Sequence, residues 1–301
     1  MASYNFLKQA KVYVVDSSNQ RRQLDVSSVE FSQTFTENSY KVKTLHSQNM
    51  FEGSVINKAN PANFSMNVNA IQEADNKVIF DRLLDYSTFD MYVVTEESTF
   101  KIEYCVVSNG SFNIRQGTPL SLEISGEARK LSRVGTGSYS LPGTLVAKTA
   151  SPTHNQLLHT SVTLGGSDIS SETVSLSVEL QNDIQWSPYA TVHDGVAVSS
   201  DSNTIYPTDY TIQKRILAGN IKRFLTDSSS SAVQAWDTDT TLNIKAGVLS
   251  SGSLTQGFEF DITNCSYTNR AEVGDLFTQS YDWRMTQNPT SLTDVITYIT
   301  T

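Results

Sequence analysis

A chain of 301 residues, 38% hydrophobic and 18% charged, is long enough for two domains that each bury a core, and too apolar to stay disordered. Its formal charge of −9 speaks against a protein that grips nucleic acid through a basic face, and no run is long and apolar enough for a transmembrane helix. Cys105 and Cys265 are too few and too far apart for a disulfide framework or a zinc site, and are expected as packed thiols.

The strand signals begin at Lys11–Val15, an apolar run. Over residues 27–34 the alternation of Val29 and Phe31 with Ser28, Glu30 and Ser32 predicts an amphipathic strand, continued less cleanly through Tyr40, Val42 and Thr44. Pro61 punctuates a loop before the alternating Phe64, Met66 and Val68. The period then changes. Ile79 and Leu83, like Phe80 and Leu84, stand four apart and predict a helix packed on a sheet, with Asp75–Asn76 as its N-cap. Phe100, Ile102, Tyr104 and Val106 restore a period of two, and Asn109–Gly110 then reads as a hairpin turn. A further hairpin is predicted around Gly117–Thr118–Pro119, between Ile114 and Leu120–Leu122–Ile124. From Gly135 to about residue 155 the pattern dissolves into Gly, Ser, Pro and Thr, the composition of a connector.

Beyond the connector, Val174, Leu176, Val178 and Leu180 make the cleanest strand of the chain. Ile212, Ile216 and Leu217, then Ile221, Phe224 and Leu225, follow helical spacing and predict a second helix capped by Thr208 or Asp209. Leu242, Ile244 and Ala246 predict a strand, Ser251–Gly252 a turn, Phe258, Phe260 and Ile262 the next strand, and residues 278–285 another. The order of strand, helix and hairpin thus recurs. Val29–Glu30–Phe31 is echoed by Val178–Glu179–Leu180, each followed nine residues later by Tyr40 or Tyr189, and Val107–Ser108–Asn109–Gly110–Ser111 by Leu249–Ser250–Ser251–Gly252–Ser253. A unit written twice predicts assembly into a ring or array.

Residues 1–150 hold 15 Lys+Arg and 15 Asp+Glu; the totals of 22 and 31 leave 7 and 16 for residues 151–301, which carry the whole negative excess. That surface favours solubility and would also repel DNA. The start, Met1–Ala2–Ser3–Tyr4, lacks the basic patch and apolar run of a secretory signal, so a cytosolic product is expected.

Candidate chemistry is sparse. His154 and His159 stand five apart without the intervening Glu of a zinc-protease helix, and His46 and His193 follow the paired tyrosines. Asp81 with Asp85, and Asp237 with Asp239, lack the Gly and terminal Glu of a calcium loop. Lys214–Arg215 and Lys222–Arg223 are expected on a helix, facing water or a neighbouring subunit's acids. Trp186, Trp236 and Trp283 are scattered as core or interface anchors. No P-loop, GxGxxG or GxSxG motif is present, so no catalytic residue, cofactor or metal is expected and the chain reads as non-enzymatic.

The run Phe31–Ser32–Gln33–Thr34–Phe35–Thr36–Glu37–Asn38–Ser39–Tyr40–Lys41–Val42–Lys43–Thr44–Leu45–His46 and the later Asn60–Pro61–Ala62–Asn63–Phe64 resemble tail tube proteins of tailed bacteriophages. The duplicated order is similar to the T5-type form, in which two tube domains are fused. The resemblance implies a mainly β fold with short helices: two tandem β-sandwich or half-barrel domains, each with a flanking α-helix, over 1–150 and 151–301. It further implies a virion structural protein that polymerises into stacked rings and conducts DNA without binding it specifically. A trimer with pseudo-sixfold symmetry is favoured over a hexamer. Implied partners are a tape-measure protein, tail terminator and baseplate proteins and, in a contractile tail, a sheath, with no membrane. The alternative is a two-domain β-sandwich binding protein of a phage fibre, a baseplate or a carbohydrate-binding adhesin.

Overall fold

The computed structural model describes residues 10–40, 53–68, 74–115, 118, 120–148, 159–187, 205–226 and 239–299. The first half runs β1 (Lys11–Val15), β2 (Gln20–Leu24), β3 (Val26–Ser32), β4 (Phe35–Tyr40), β5 (Gly53–Ala59), β6 (Ala62–Val68), helix α1 (Ala74–Asp85), β7 (Phe89–Val94), β8 (Thr99–Arg115), β9 (Leu122–Gly135) and β10 (Thr144–Leu145). The second runs β11 (His159–Leu164), β12 (Ser167–Asp168), β13 (Thr173–Trp186), β14 (Tyr210–Phe224), β15 (Thr240–Ser250), β16 (Ser253–Val273), β17 (Phe277–Met285) and β18 (Ile296–Ile299). The protein is mainly β, with α1 the α-helix among the described residues. No described helix is long and apolar enough to cross a membrane.

Hydrogen-bonded neighbours in the first half run β2-β1-β7-β8-β9-β6-β3, and in the second β12-β11-β15-β16-β17-β14-β13. The two orders match strand for strand, and every ladder within them is antiparallel. Irregularities recur too. A register shift after Val26 in the β3–β6 ladder answers one after Thr173 in β13–β14, and one after Phe89 in β7–β8 answers one after Thr240 in β15–β16. Phe89 pairs with Cys105 and Thr240 with Cys265, so the two cysteines occupy the same place in the repeat. Both are free and buried, and burial pushes both thiols up, that of Cys265 to about 11.

These ladders fix the equivalences. Phe31 pairs with Phe64, which pairs with Gly126; Val178 pairs with Gly219, which pairs with Trp283. Phe31 therefore answers Val178. The echo of Val29–Glu30–Phe31 in Val178–Glu179–Leu180 is displaced by two residues, because both strands alternate and any even shift preserves the pattern. One cross-strand pair is inverted: aromatic Phe64 covers Gly126 from one strand, and Trp283 covers Gly219 from the other. A side chain on Gly126 would meet the Phe64 ring, with Cε1 2.6 Å from its Cβ; one on Gly219 would stand 2.7 Å from Trp283 Cζ2. Each half thus presents a bare backbone to a ring, a pairing that offsets the weak strand propensity of glycine.

The predicted strands at Lys11–Val15, Phe64–Val68, Phe100–Val106, Val174–Leu180, Leu242–Ala246, Phe258–Ile262 and residues 278–285 are all present, as is the Ser251–Gly252 turn, with φ of 51° and 80°. Helix α1 buries Ile79, Phe80, Leu83 and Leu84. Asp75 and Asn76 are not its cap: they lie within the first turn, where Asn76 Oδ1 accepts from the backbone N–H of Asp25 at 3.1 Å. The Asn109–Gly110 hairpin is absent, since both residues run through the middle of β8. Gly110 serves approach instead. A Cβ there would strike the Leu83 side chain, so the missing side chain lets α1 settle on the strand. The echo of Val107–Ser111 in Leu249–Ser253 consequently joins a strand interior to a turn, places that do not correspond.

The second predicted helix is replaced by the long strand β14. Its inward residues alternate as Arg215, Leu217, Gly219, Ile221 and Arg223, while Ile216 and Phe224 face outward. Two inward arginines and a glycine hide the period of two, and the outward apolar residues mimic a helical stripe. Ladders to β13 and β17 settle the outcome. Part of the predicted connector is described: β10 pairs in parallel with β2, Arg21 Nη1 donates to the Leu141 carbonyl at 2.6 Å, and Lys148 pairs with Asp25. Residues 149–158 lie outside the described residues, as do Val42 and Thr44.

Candidate assembly edges

The two halves are joined strand to strand. β8 carries β9 along one edge; along the other it pairs first with β7, through residues 99–105, and then with β13, through residues 109–115. The β8–β13 register runs from Asn109↔Gln181 to Arg115↔Ser175. On its inner face Ile114 meets Leu176 and Phe112 meets Val178, all at most 4% exposed. The outer face is polar, with Ser175, Ser177 and Glu179 beside Arg115, Asn113 and Ser111.

Aromatic packing seals this joint. The Phe112 ring centroid lies 4.5 Å from that of Phe258 and 5.4 Å from that of Phe260, and Phe80 of α1 reaches Phe258 at 4.9 Å and Tyr298 at 5.0 Å. The geometries are edge-on, as ring quadrupoles favour. Polar clamps add to it. Arg215 donates to Asn182 Oδ1 at 2.8 Å and to the Leu84 carbonyl at 2.7 Å, closing the C-terminal end of α1, while Asn182 donates to the Val107 carbonyl at 3.0 Å. Trp186 Nε1 donates to Glu127 Oε2 at 2.6 Å. Burial holds the Glu127 carboxyl above its ordinary range; the Trp186 hydrogen bond opposes this and nearby Asp183 adds to it.

Repetition leaves two counterparts of this joint unfilled among the described residues. β3 answers β13 yet pairs with β6 alone. β16 answers β8, pairing with β15 through residues 253–265 and on its other edge with β17 and β18, so residues 268–273 keep an open edge where β8 holds β13. Beyond the matched cysteines, β8 has one extra residue at Ser108, where its ladder to β9 shifts. Ile114 therefore answers Val273, and Leu120 answers Phe277. The environments are opposite: Ile114 and Leu120 are 4% and 3% exposed, Val273 and Phe277 75% and 55%, with Leu276 between them at 64%. Apolar side chains exposed side by side in this way are a property of interaction surfaces.

At the root of this tip lies a buried polar network that the first half lacks. Val68 and Leu122 pair into the core there; their counterparts are Arg223, 0% exposed, and Gln279, 2% exposed. Arg223 donates to Glu172 Oε2 at 3.0 Å and to Gln279 Oε1 at 2.8 Å, and lies 5.3 Å over the Tyr281 ring. Tyr281 Oη donates to the same Gln279 oxygen at 2.6 Å, and Gln279 Nε2 donates to Asn269 Oδ1 at 2.7 Å. No periodicity argument could single out Arg223, since its position in the alternation is one reserved for apolar residues.

The other sequence candidates scatter. Lys214–Arg215 and Lys222–Arg223 form no helical cluster: the arginines point inward, and Lys222 Nζ lies 3.5 Å from Glu272. Asp81 pairs with Lys77 at 2.6 Å and Asp85 with Arg82 at 3.1 Å on the outer face of α1. His46, His154, His193, Trp236 and Asp237 lie outside the described residues, and of His159 only the backbone is described. Among the described residues no three His, Cys, Asp or Glu side chains gather as metal ligands. A family model described as the bacteriophage baseplate tube protein family matches the chain over residues 2–87 and again over 83–299. No curated protein matches the chain significantly.

Proposed function

Because the chain belongs to the bacteriophage baseplate tube protein family, we propose that it is a non-enzymatic subunit of a phage tail tube, polymerising into stacked rings that form the channel for viral DNA. The observation carrying this reading is the strand order written twice and joined by a strand pair, with the counterpart edge open at each end among the described residues. Head-to-tail contacts of one kind generate rings when the rotation closes. A trimer then has six similar joints, three within chains and three between them, the pseudo-sixfold ring that the resemblance to fused tube domains favours over a hexamer. Exposed β edges are a hazard on an isolated subunit, and closure removes them.

The charge of −9 suits passage of a polyanion, because phosphates find few cations with which to replace their counterions. Further proposed partners are the tape-measure protein, tail terminator and baseplate proteins, and a sheath where the tail contracts. Negative-stain microscopy of the concentrated protein, with mass measurement of one disassembled ring, tests the reading. Rings or tubes of three copies support it. Dispersed monomers at every concentration would refute it and favour a two-domain binding protein.

A further inference from the structure

We infer that β3 of one copy adds as an antiparallel strand to residues 270–274 of the next, in the register that β13 uses on β8. The inference rests on the tube reading above and identifies its lateral contact. Transferring the internal joint through the equivalences gives Val29 opposite Val273 and Phe31 opposite Ala271. Internally these places are Leu176 opposite Ile114 and Val178 opposite Phe112, so the apolar face stays apolar.

The other face agrees as well. Ser28 answers Ser175, and Ser32 comes opposite Arg270, as Glu179 comes opposite Ser111. Glu30 falls opposite Glu272, whose charge is already met by Arg270 at 3.2 Å and Lys222 at 3.5 Å. A slip of one residue would set Val29 and Phe31 on the polar face, so alternation specifies the register. The half-buried Val29 and Phe31 and the exposed Val273 each supply what the other lacks. Backbone pairing gives the contact its strength, and the apolar pairs its alignment.

Cysteine cross-linking tests this on the full chain. Directly opposed residues stand about 4.5–5.5 Å apart at Cα, within disulfide reach. One variant carries Val29→Cys with Val273→Cys. A second carries the exposed pair Glu30→Cys with Glu272→Cys, which disturbs no core. A control, Ser28→Cys with Arg270→Cys, lies four residues out of register, about 13 Å at the rise of a strand. The native thiols are buried.

With oxidised glutathione, the in-register pairs are expected to give covalent oligomers on a non-reducing gel at least tenfold above the control and above each single cysteine. Equal yields from control and in-register pairs overturn the register. Absence of links in particles whose mass shows a ring overturns the choice of edges and leaves the tube reading standing. A monomeric mass throughout removes both.

Discussion

Replacing Val273 and Phe277 with threonine should weaken self-association without weakening the fold. Both residues keep strand propensity as threonine, and both are now 75% and 55% exposed, so the isolated subunit loses little packing. Their counterparts Ile114 and Leu120 are 4% and 3% exposed, so contact like the internal joint would cover roughly two-thirds of Val273 and half of Phe277. Full burial of such side chains contributes about 1.5–3 kcal/mol each. The fractions gained give about 1 kcal/mol per residue, hence about 2 kcal/mol for the pair, or about a thirtyfold weaker association constant. Sedimentation across a concentration series measures the shift, and thermal melting of the dilute protein checks the fold. Leu145→Thr is the control, an equally exposed apolar residue (52%) at the far end of the sheet on β10. Unchanged association in the double variant, or an equal loss in the control, would refute the reasoning.

Gly126→Ala should destabilise the fold by about 1–3 kcal/mol, the ordinary cost of overpacking, because the new methyl meets both the Phe64 ring and the Val106 carbonyl; a denaturant titration reads this as a lower midpoint at constant slope. Arg223→Val should cost about 3–5 kcal/mol by taking the arginine charge away from the largely buried Glu172 carboxylate and two donors from Gln279. Adding Gln279→Leu installs the Val–Leu pair of the first half and should recover part of that loss, so a double-mutant cycle showing strict additivity would count against the equivalence. For Glu127, burial raises the folded-state carboxyl above its unfolded value, so the native state binds the proton more tightly. Stability is then complete below the ordinary carboxylate range and declines as pH rises through the raised one. Glu127→Gln keeps an acceptor for Trp186 and should flatten that decline, monitored by tryptophan fluorescence in melts at stepped pH.

Much of the ladder was legible because most strands obey simple alternation. Phe64, Met66 and Val68, or Leu242, Ile244 and Ala246, announce both a strand and its buried face. α1 was legible through Ile79, Phe80, Leu83 and Leu84, since its stripe has no competing period. β14 was not, because Arg215 and Arg223 are inward residues whose charges are satisfied by groups far away in sequence, Leu84 and Gln279 among them. Asn109–Gly110 misled for a related reason. A glycine wanted for close approach to Leu83 carries the same letters as one wanted for a turn.

By itself the sequence determined that the chain is mainly β and acidic in its second half, since composition and alternation act locally and survive any arrangement of the strands. Which residue of one half answers which in the other was decided by tertiary structure alone. Alternation repeats every two residues and tolerates any even displacement; only hydrogen-bonded ladders, with their matched bulges at Val26 and Thr173 and their matched cysteines, remove that freedom. The edges of β3 and β16 that stay open among the described residues follow from the same fact, because an edge is defined by the strand missing beside it.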